Sequence, residues 1–146
     1  MVTCNYCGRE AQLVSSAVVY GGRDYGPVWH CAPCRAWVGC HPGTTDPLGR
    51  LANEELRHWK KKGHEVFDPI WKMLMRYGWK KSSARQRAYE CLAREMRLLP
   101  QDCHFGMFTV EQCKRAIALC RSGRVGPGTP KREPRAQGIL RQLKEL

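Results

Sequence analysis

Two pairs of cysteines, each with the spacing C-x-x-C, restrict the fold of this chain more than any other feature. Cys4 and Cys7 form the first pair, Cys31 and Cys34 form the second, and residues 8–30 separate them. Two thiolates on one tight turn point at a common centre, and two such turns complete the tetrahedral four-sulfur shell that structural zinc prefers. The sequence therefore predicts one structural Zn²⁺ bound by all four cysteines, in a closed shell with no open position for catalysis.

The segment between the two pairs predicts a β-hairpin. Residues 13–14 and 18–20 favour the first strand, residues 25–29 favour the second, and Gly21-Gly22 before the second strand has the composition of a two-residue turn. Gly8 follows the first pair directly, where a positive φ is expected and a Cβ would be strained. A hairpin of this kind brings the two cysteine pairs together, as in a zinc ribbon.

Helical signals dominate the chain after residue 45. Asn53 precedes two glutamates and predicts the cap of a first helix, because carboxylates in a first turn interact favourably with the helix dipole. The pair Asp68-Pro69 predicts the start of a second helix, since proline is favoured at the first helical position. Gly78 predicts the end of that second helix.

Two further helices are predicted downstream. Ser82 or Ser83 can cap the third helix. Thr109 with Gln112 three residues later has the spacing of a capping box and predicts the start of the fourth helix. Gly123 predicts its end.

Together these elements predict a small α+β protein with three regions. Residues 1–45 are a zinc-ribbon-like β-hairpin head, and residues 46–122 are a mainly α-helical body on which the head packs. Residues 123–146 are rich in proline, glycine and basic residues, and they predict a flexible basic tail with a short amphipathic end.

The other thiols have less specific patterns. The total of nine cysteines is odd and no export signal is visible, so metal ligation is a better explanation than a disulfide scaffold. Cys40 or His41 could replace one zinc ligand, but the favoured interpretation is that Cys40 packs beside the second pair and His41 lies in a turn. A loop position is predicted for Cys103. Apolar helix faces are predicted for Cys91, Cys113 and Cys120.

The charge of the chain indicates the kind of partner. Lys and Arg number 25 against 13 Asp and Glu, and the resulting net charge of +12 favours binding to polyphosphates. Any one basic segment can be explained as the solvent-facing side of a helix. Several basic segments in one chain instead favour contact with phosphate groups. The predicted nucleic-acid contacts are Lys60, Lys61, Lys62, Lys80, Lys81, Arg85, Arg87, Arg94 and Arg97.

Several short motifs also occur in a fixed order. They are Cys4-x-x-Cys7-Gly8, Cys31-x-x-Cys34-x-Ala36-x-Val38-Gly39-Cys40-His41, Pro47-Leu48-Gly49, Phe67-Asp68-Pro69-x-Trp71 and Cys103-His104-Phe105-Gly106-Met107-Phe108. In this order they resemble the small zinc-finger-containing proteins of bacteriophages and prophages, a family of unknown function, over about residues 4–120. The resemblance implies a zinc-bearing, cytosolic, phage-encoded protein, and it implies no catalytic residues.

Three hypotheses of function follow from these observations. The favoured one is a non-enzymatic, nucleic-acid-associated regulator in the cytoplasm. The second is a protein-binding modulator of a host polymerase or defence enzyme. The third is a metal-dependent nuclease of the His-Asn-His kind, for which His41, Asn53 and His64 occur in the required order. A membrane partner is not expected, because no apolar run approaches the ~20 residues of a membrane span.

Overall fold

The computed structural model describes residues 1–127 as an α+β fold, which confirms the predicted fold class. A three-stranded antiparallel sheet with the strand order β1-β2-β3 precedes three α-helices. The strands are β1 (Gln12–Ser15), β2 (Pro27–Cys31) and β3 (Ala36–Gly39). The helices are α1 (Glu54–Arg76), α2 (Lys81–Met96) and α3 (Val110–Arg121).

The strand pairing differs from the predicted hairpin. In the sheet, Val14 of β1 lies opposite Val28 of β2, and Trp29 of β2 lies opposite Val38 of β3. The first predicted strand is confirmed at residues 13–14, which lie in β1, but its part at residues 18–20 is wrong, because β1 ends at Ser15. The second predicted strand corresponds to β2, and the strand after the second cysteine pair was not predicted.

A long loop, rather than a two-residue turn, joins β1 to β2 because the buried Ser16 diverts the chain into a single turn of 3₁₀-helix. The Ser16 hydroxyl donates to the Asp24 carboxylate at 3.3 Å and accepts the backbone N–H of Tyr25 at 2.6 Å. Gly21 and Gly22 have φ angles of +62° and +95°, so both glycines turn the chain, but they do so inside this loop.

The start of α1 is capped as predicted. Asn53 Oδ1 accepts the backbone N–H of Leu56 at 3.0 Å. We expect Asn53→Ala to lower the free energy of unfolding by about 1 kcal/mol, because an N–H of the first turn then loses its acceptor. Urea unfolding of the full chain measures this change, and Asn53→Asp is the control that keeps an acceptor. A free energy equal to that of the wild type for Asn53→Ala would contradict the capping role.

The predicted helix start at Asp68-Pro69 is wrong, because α1 runs through Pro69 without interruption. The Asp68 carboxylate does not cap a helix. It accepts the indole N–H of Trp71 at 3.0 Å and lies 3.0 Å from Nδ1 of His64. Gly78, with φ +90°, follows the end of α1 as predicted.

The helix predicted third along the chain is α2, and it begins slightly earlier than predicted. Because α2 starts at Lys81, Ser82 and Ser83 lie within its first turn rather than at its cap. Arg97 ends α2 in a left-handed conformation with φ +56°, and its backbone N–H donates to the carbonyl of Arg94 at 3.2 Å.

The helix predicted fourth along the chain is α3, and the predicted capping box at its start is confirmed. Gln112 Oε1 accepts the backbone N–H of Thr109 at 2.9 Å, and Thr109 Oγ1 accepts the backbone N–H of Gln112 at 3.2 Å. Gly123, with φ +79°, follows the end of α3 as predicted.

The described chain forms two compact units. The first unit comprises Met1–Gly63 and His104–Lys114, and the second comprises His64–Cys103 and the described residues from Arg115 onward. In the first unit, the Gly106 carbonyl accepts the backbone N–H of Arg50 at 3.1 Å and the ammonium of Lys60 at 3.4 Å, which joins its two chain segments. The buried residues of α2, in the second unit, are Ala84, Ala88, Leu92, Ala93 and Met96.

The regional boundaries 1–45, 46–122 and 123–146 stay predictions. Residues 128–146, which include most of the predicted tail, lie outside the described residues. No helix within residues 1–127 combines the length and the apolar character that crossing a membrane requires.

Candidate metal centre and basic surfaces

The first cysteine pair lies on a tight turn near the start of the chain. The backbone N–H of Cys4 donates to the carbonyl of Arg9 at 2.7 Å, and the N–H of Gly8 donates to the carbonyl of Cys4 at 2.9 Å. Gly8 has φ +77°, which confirms the positive φ predicted after Cys7. The backbone N–H of Tyr6 donates to the Cys4 sulfur at 3.4 Å, so this sulfur has a hydrogen-bond donor of its own in the turn.

The second cysteine pair repeats this geometry between β2 and β3. Cys31 is the last residue of β2, and Cys34 lies in the turn that leads to β3. Arg35 follows the second pair as Gly8 follows the first, and it also has a positive φ, +50°. The Arg35 N–H donates to the carbonyl of Ala32 at 3.1 Å. Both turns therefore aim two sulfurs in one direction.

The four sulfurs of Cys4, Cys7, Cys31 and Cys34 form one cluster, in which all lie within 4.8 Å of one another. The Cys7 and Cys31 sulfurs are 3.7 Å apart. In a tetrahedral shell with Zn–S bonds of about 2.3 Å, neighbouring sulfurs are about 3.8 Å apart, whereas a disulfide requires about 2.05 Å. The distances and the all-thiol donor set thus fit one structural zinc ion, as predicted.

The acidities of these thiols are consistent with a site built for a cation. The backbone N–H of Arg9 lowers the pKa of Cys7 to about 7. The neighbouring Cys7 thiol, together with burial and the other two sulfurs, raises the pKa of Cys34 to about 12. Four thiolates at this distance repel one another, and a bound Zn²⁺ supplies the positive charge that replaces their protons.

Two of the metal ligands, Cys4 and Cys31, also belong to a small buried cluster within the first unit. The buried members of this cluster are Cys4, Ala11, Cys31, Ala36, Val38 and Leu51. Most of these side chains are small, so their burial removes little apolar area from water. A bound zinc ion would therefore supply much of the stability of this cluster.

Cys40 and His41 both lie outside the sulfur cluster, and the packing of Cys40 beside the second pair stays a prediction. Cys40 lies in an isolated bridge opposite Pro47 and is not a member of the sulfur cluster. Burial raises the pKa of the Cys40 thiol, and the Asp46 carboxylate adds to this shift. His41 is exposed in a turn, where its backbone N–H donates to the carbonyl of Asp46 at 2.9 Å.

The remaining cysteines lie where packing explains them. Cys103 and Cys113 are 2% and 0% exposed, and burial raises the pKa of each to about 11. Cys91 and Cys120 are half-buried, and burial also raises the pKa of Cys120 to about 11. Neutral thiols of this kind behave as small apolar side chains.

The residues of the nuclease hypothesis have structural partners. Asn53 uses its side-chain oxygen to cap α1, and His64 lies against Asp68. His41 is in an exposed turn. These roles explain Asn53 and His64 without catalysis.

The predicted nucleic-acid contacts are exposed, with one exception. Lys60 is half-buried, donates to the Gly106 carbonyl at 3.4 Å, and has a pKa lowered mainly by burial. It therefore supports the first unit and does not present a phosphate-binding ammonium. Arg85 and Arg87 are about 200° apart around α2, so the arginines of this helix do not share one face. The exposed contacts fall into both compact units.

Three cations surround one indole ring in the second unit. The ammonium nitrogens of Lys72 and Lys81 each lie 5.6 Å from the centroid of the Trp71 ring, and the guanidinium carbon of Arg85 lies 5.9 Å from it. Trp71 is only 7% exposed, so it organises the cations and is not available for stacking. We call Lys72, Lys81 and Arg85 the Trp71 cluster. Lys72 was not predicted as a contact, because the convergence of these cations on Trp71 depends on how α1 and α2 pack within the unit.

A smaller group of cations surrounds Trp59 in the first unit. The Lys62 and Lys114 ammonium groups lie 5.6 Å and 5.0 Å from the ring centroid. Lys114 also lies 3.8 Å from a carboxylate oxygen of Glu111, which offsets part of its charge. Lys114 was not predicted either, since it is distant from Trp59 in sequence.

The sheet and the four-sulfur site together define a zinc-finger protein. The chain belongs to a family of unknown function described as a zinc-finger-containing domain, whose model matches residues 1–123. This match confirms the zinc-finger-containing family that the ordered motifs indicated and the zinc predicted from the cysteine pairs, whereas the phage origin stays a prediction. No curated protein and no solved structure matches the chain.

Proposed function

We propose that this zinc-finger protein associates with nucleic acid without catalysing a reaction, and that the Trp71 cluster contacts the phosphate backbone. The observation that carries the proposal is the convergence of Lys72, Lys81 and Arg85 on one ring. A regulatory role in a phage or its host belongs to the same proposal and is supported only by the sequence resemblance.

The Trp71 cluster concentrates positive charge, and its members form no ion pairs with carboxylates in the described part of the chain. Lys81 and Arg85 are four residues apart on α2, a spacing at which like charges destabilise a helix by about 0.2–0.5 kcal/mol. The Asp68 carboxylate is engaged by Trp71 and His64. A bound phosphate would relieve this repulsion.

Phosphate contacts of this kind position a protein on nucleic acid without specifying a sequence. Each neutralised phosphate releases condensed counterions, so the affinity should fall steeply as the salt concentration rises. The net charge of +12 adds long-range attraction to the local contacts.

The test is a salt titration of the full, zinc-loaded chain with labelled DNA and RNA. For the wild type we expect tight binding at low salt and a linear decrease of log K with log salt concentration. In the triple variant Lys72→Gln, Lys81→Gln, Arg85→Gln, that slope should decrease by up to about 3, since about one counterion is released for each lost contact.

The matched control is the triple variant Arg87→Gln, Arg94→Gln, Arg97→Gln, which removes the same charge from exposed positions outside the cluster. We expect its slope to change less. Equal losses in both variants would assign the binding to net charge and not to the Trp71 cluster. Absence of binding at low salt for the wild type would overturn the proposed function.

A protein partner with an acidic surface is the second candidate. The second unit also exposes apolar side chains, since Met75, Tyr77 and Leu99 are 40%, 48% and 59% exposed. Interfaces often combine apolar anchors with arginine. Affinity purification from a host lysate, with and without nuclease treatment, separates the two candidates. A protein that still co-purifies after nuclease treatment favours the protein partner.

A further inference from the structure

The first unit contains an open cleft that the metal centre does not use. Its volume is about 750 Å³, within the range of about 300–1,000 Å³ that is usual for ligand sites. Tyr20, Tyr25 and Trp37 contribute aromatic side chains to its lining, beside the turn that contains His41 and Thr44. The cleft therefore combines ring surfaces with a few polar groups.

The three aromatic rings are arranged in series. The ring centroids of Tyr20 and Tyr25 are 5.3 Å apart, those of Tyr20 and Trp37 are 5.1 Å apart, and both pairs meet edge to face. Tyr20 is 45% exposed and Tyr25 is 68% exposed. Grouped aromatic surface that remains in contact with water favours the binding of another flat, apolar group.

The charges around the cleft define the kind of flat group. Asp, Glu, Lys and Arg are all absent from its lining, which suits an uncharged ring. The guanidinium carbon of Arg57 lies 5.2 Å from the centroid of Trp37, so a cation is adjacent to the aromatic lining. Neutral bases joined by phosphates match this combination of a neutral aromatic cleft and a neighbouring cation.

We propose that this cleft binds an unstacked base of single-stranded nucleic acid, with Tyr20 and Tyr25 as stacking residues. The inference rests on the proposed function and adds to it a preference for strands whose bases are accessible. Stacking of this kind tolerates different bases, because every base has a π-face.

The experiment compares two ligands on the wild-type, zinc-loaded chain. One is a short thymidine oligonucleotide, and the other has the same length and charge but lacks bases. The base-bearing strand should bind at least about fivefold more tightly, which is the lower end of the measured contribution of one base–aromatic stack. Tyr20→Ala and Tyr25→Ala should each reduce this ratio, and Tyr20→Phe, which keeps the ring, should preserve it.

Tyr77→Ala is the matched control, since Tyr77 is 48% exposed and belongs to the second unit. It should leave the ratio unchanged. Equal, salt-dependent binding of the two strands would overturn the cleft proposal and leave the phosphate proposal intact. If neither strand binds, both proposals fail. Binding of a proline-rich peptide in place of the oligonucleotide would assign the cleft to a protein partner and would also overturn the inference.

Discussion

Replacement of Cys31 by serine is expected to unfold the metal-binding part of the first unit. A serine hydroxyl is a poor zinc ligand, and Cys31 is also a member of the small buried cluster. In small zinc modules, metal-binding free energy of about 10 kcal/mol or more is coupled to folding. This is comparable to the total stability of a typical domain, about 5–15 kcal/mol, so the small side chains beside the site could not compensate for its loss.

Zinc content and thermal unfolding of the purified chain measure this effect. Cys40→Ser is the matched control, because it makes the same chemical change in the same unit at a cysteine outside the sulfur cluster. We expect the control to retain one zinc per chain and nearly the wild-type melting temperature. A strong chelator added to the wild type should reproduce the unfolding of Cys31→Ser. Unchanged zinc content and stability in Cys31→Ser would refute the assignment.

Gly63→Ala is expected to destabilise the protein, although this substitution usually stabilises a helix. In an unhindered helix interior, the change from glycine to alanine contributes up to about 1 kcal/mol. A Cβ at Gly63 would lie 2.8 Å from Cζ and 3.0 Å from Cδ1 of the Phe105 ring, and still closer to Cε1. Phe105 is 2% exposed and cannot move aside freely. Overpacking of this kind costs about 1–3 kcal/mol and reverses the usual sign.

Chemical unfolding of Gly63→Ala beside Lys61→Ala measures the steric contribution. Lys61 is an exposed position of the same helix, so its replacement should change the free energy of unfolding by less than about 0.5 kcal/mol. A double-mutant cycle with Phe105→Leu should show that Gly63→Ala costs less when the ring is absent. If Gly63→Ala proves as stable as the wild type, the close packing of Gly63 and Phe105 is incorrect.

Local signals in the sequence predicted the features that depend on few residues. The cysteine spacing identified the zinc site, because two turns of four residues are enough to position four sulfurs. The capping box at Thr109 and Gln112 and the positive φ of Gly8 were predicted for the same reason, since each depends on neighbours in the chain.

Features that depend on distant contacts were missed or misplaced. Pro69 did not start a helix, because α1 continues through it and buries Phe67, Ile70 and Leu74 on both sides of the proline. The buried Ser16 ended β1 and opened a loop that strand propensity did not indicate. The Trp71 cluster and the aromatic cleft arise from side chains that converge only after folding. The list of basic residues therefore contained Lys60, which is half-buried and bonded to the Gly106 carbonyl, and lacked Lys72.

X-ray absorption at the zinc edge of the purified full chain tests the central claim most directly. We expect one zinc ion per chain, surrounded by four sulfur atoms at about 2.3 Å and by no oxygen or nitrogen ligands. A chain that purifies without zinc, or a spectrum that requires nitrogen or oxygen in the first coordination shell, would contradict the four-cysteine site.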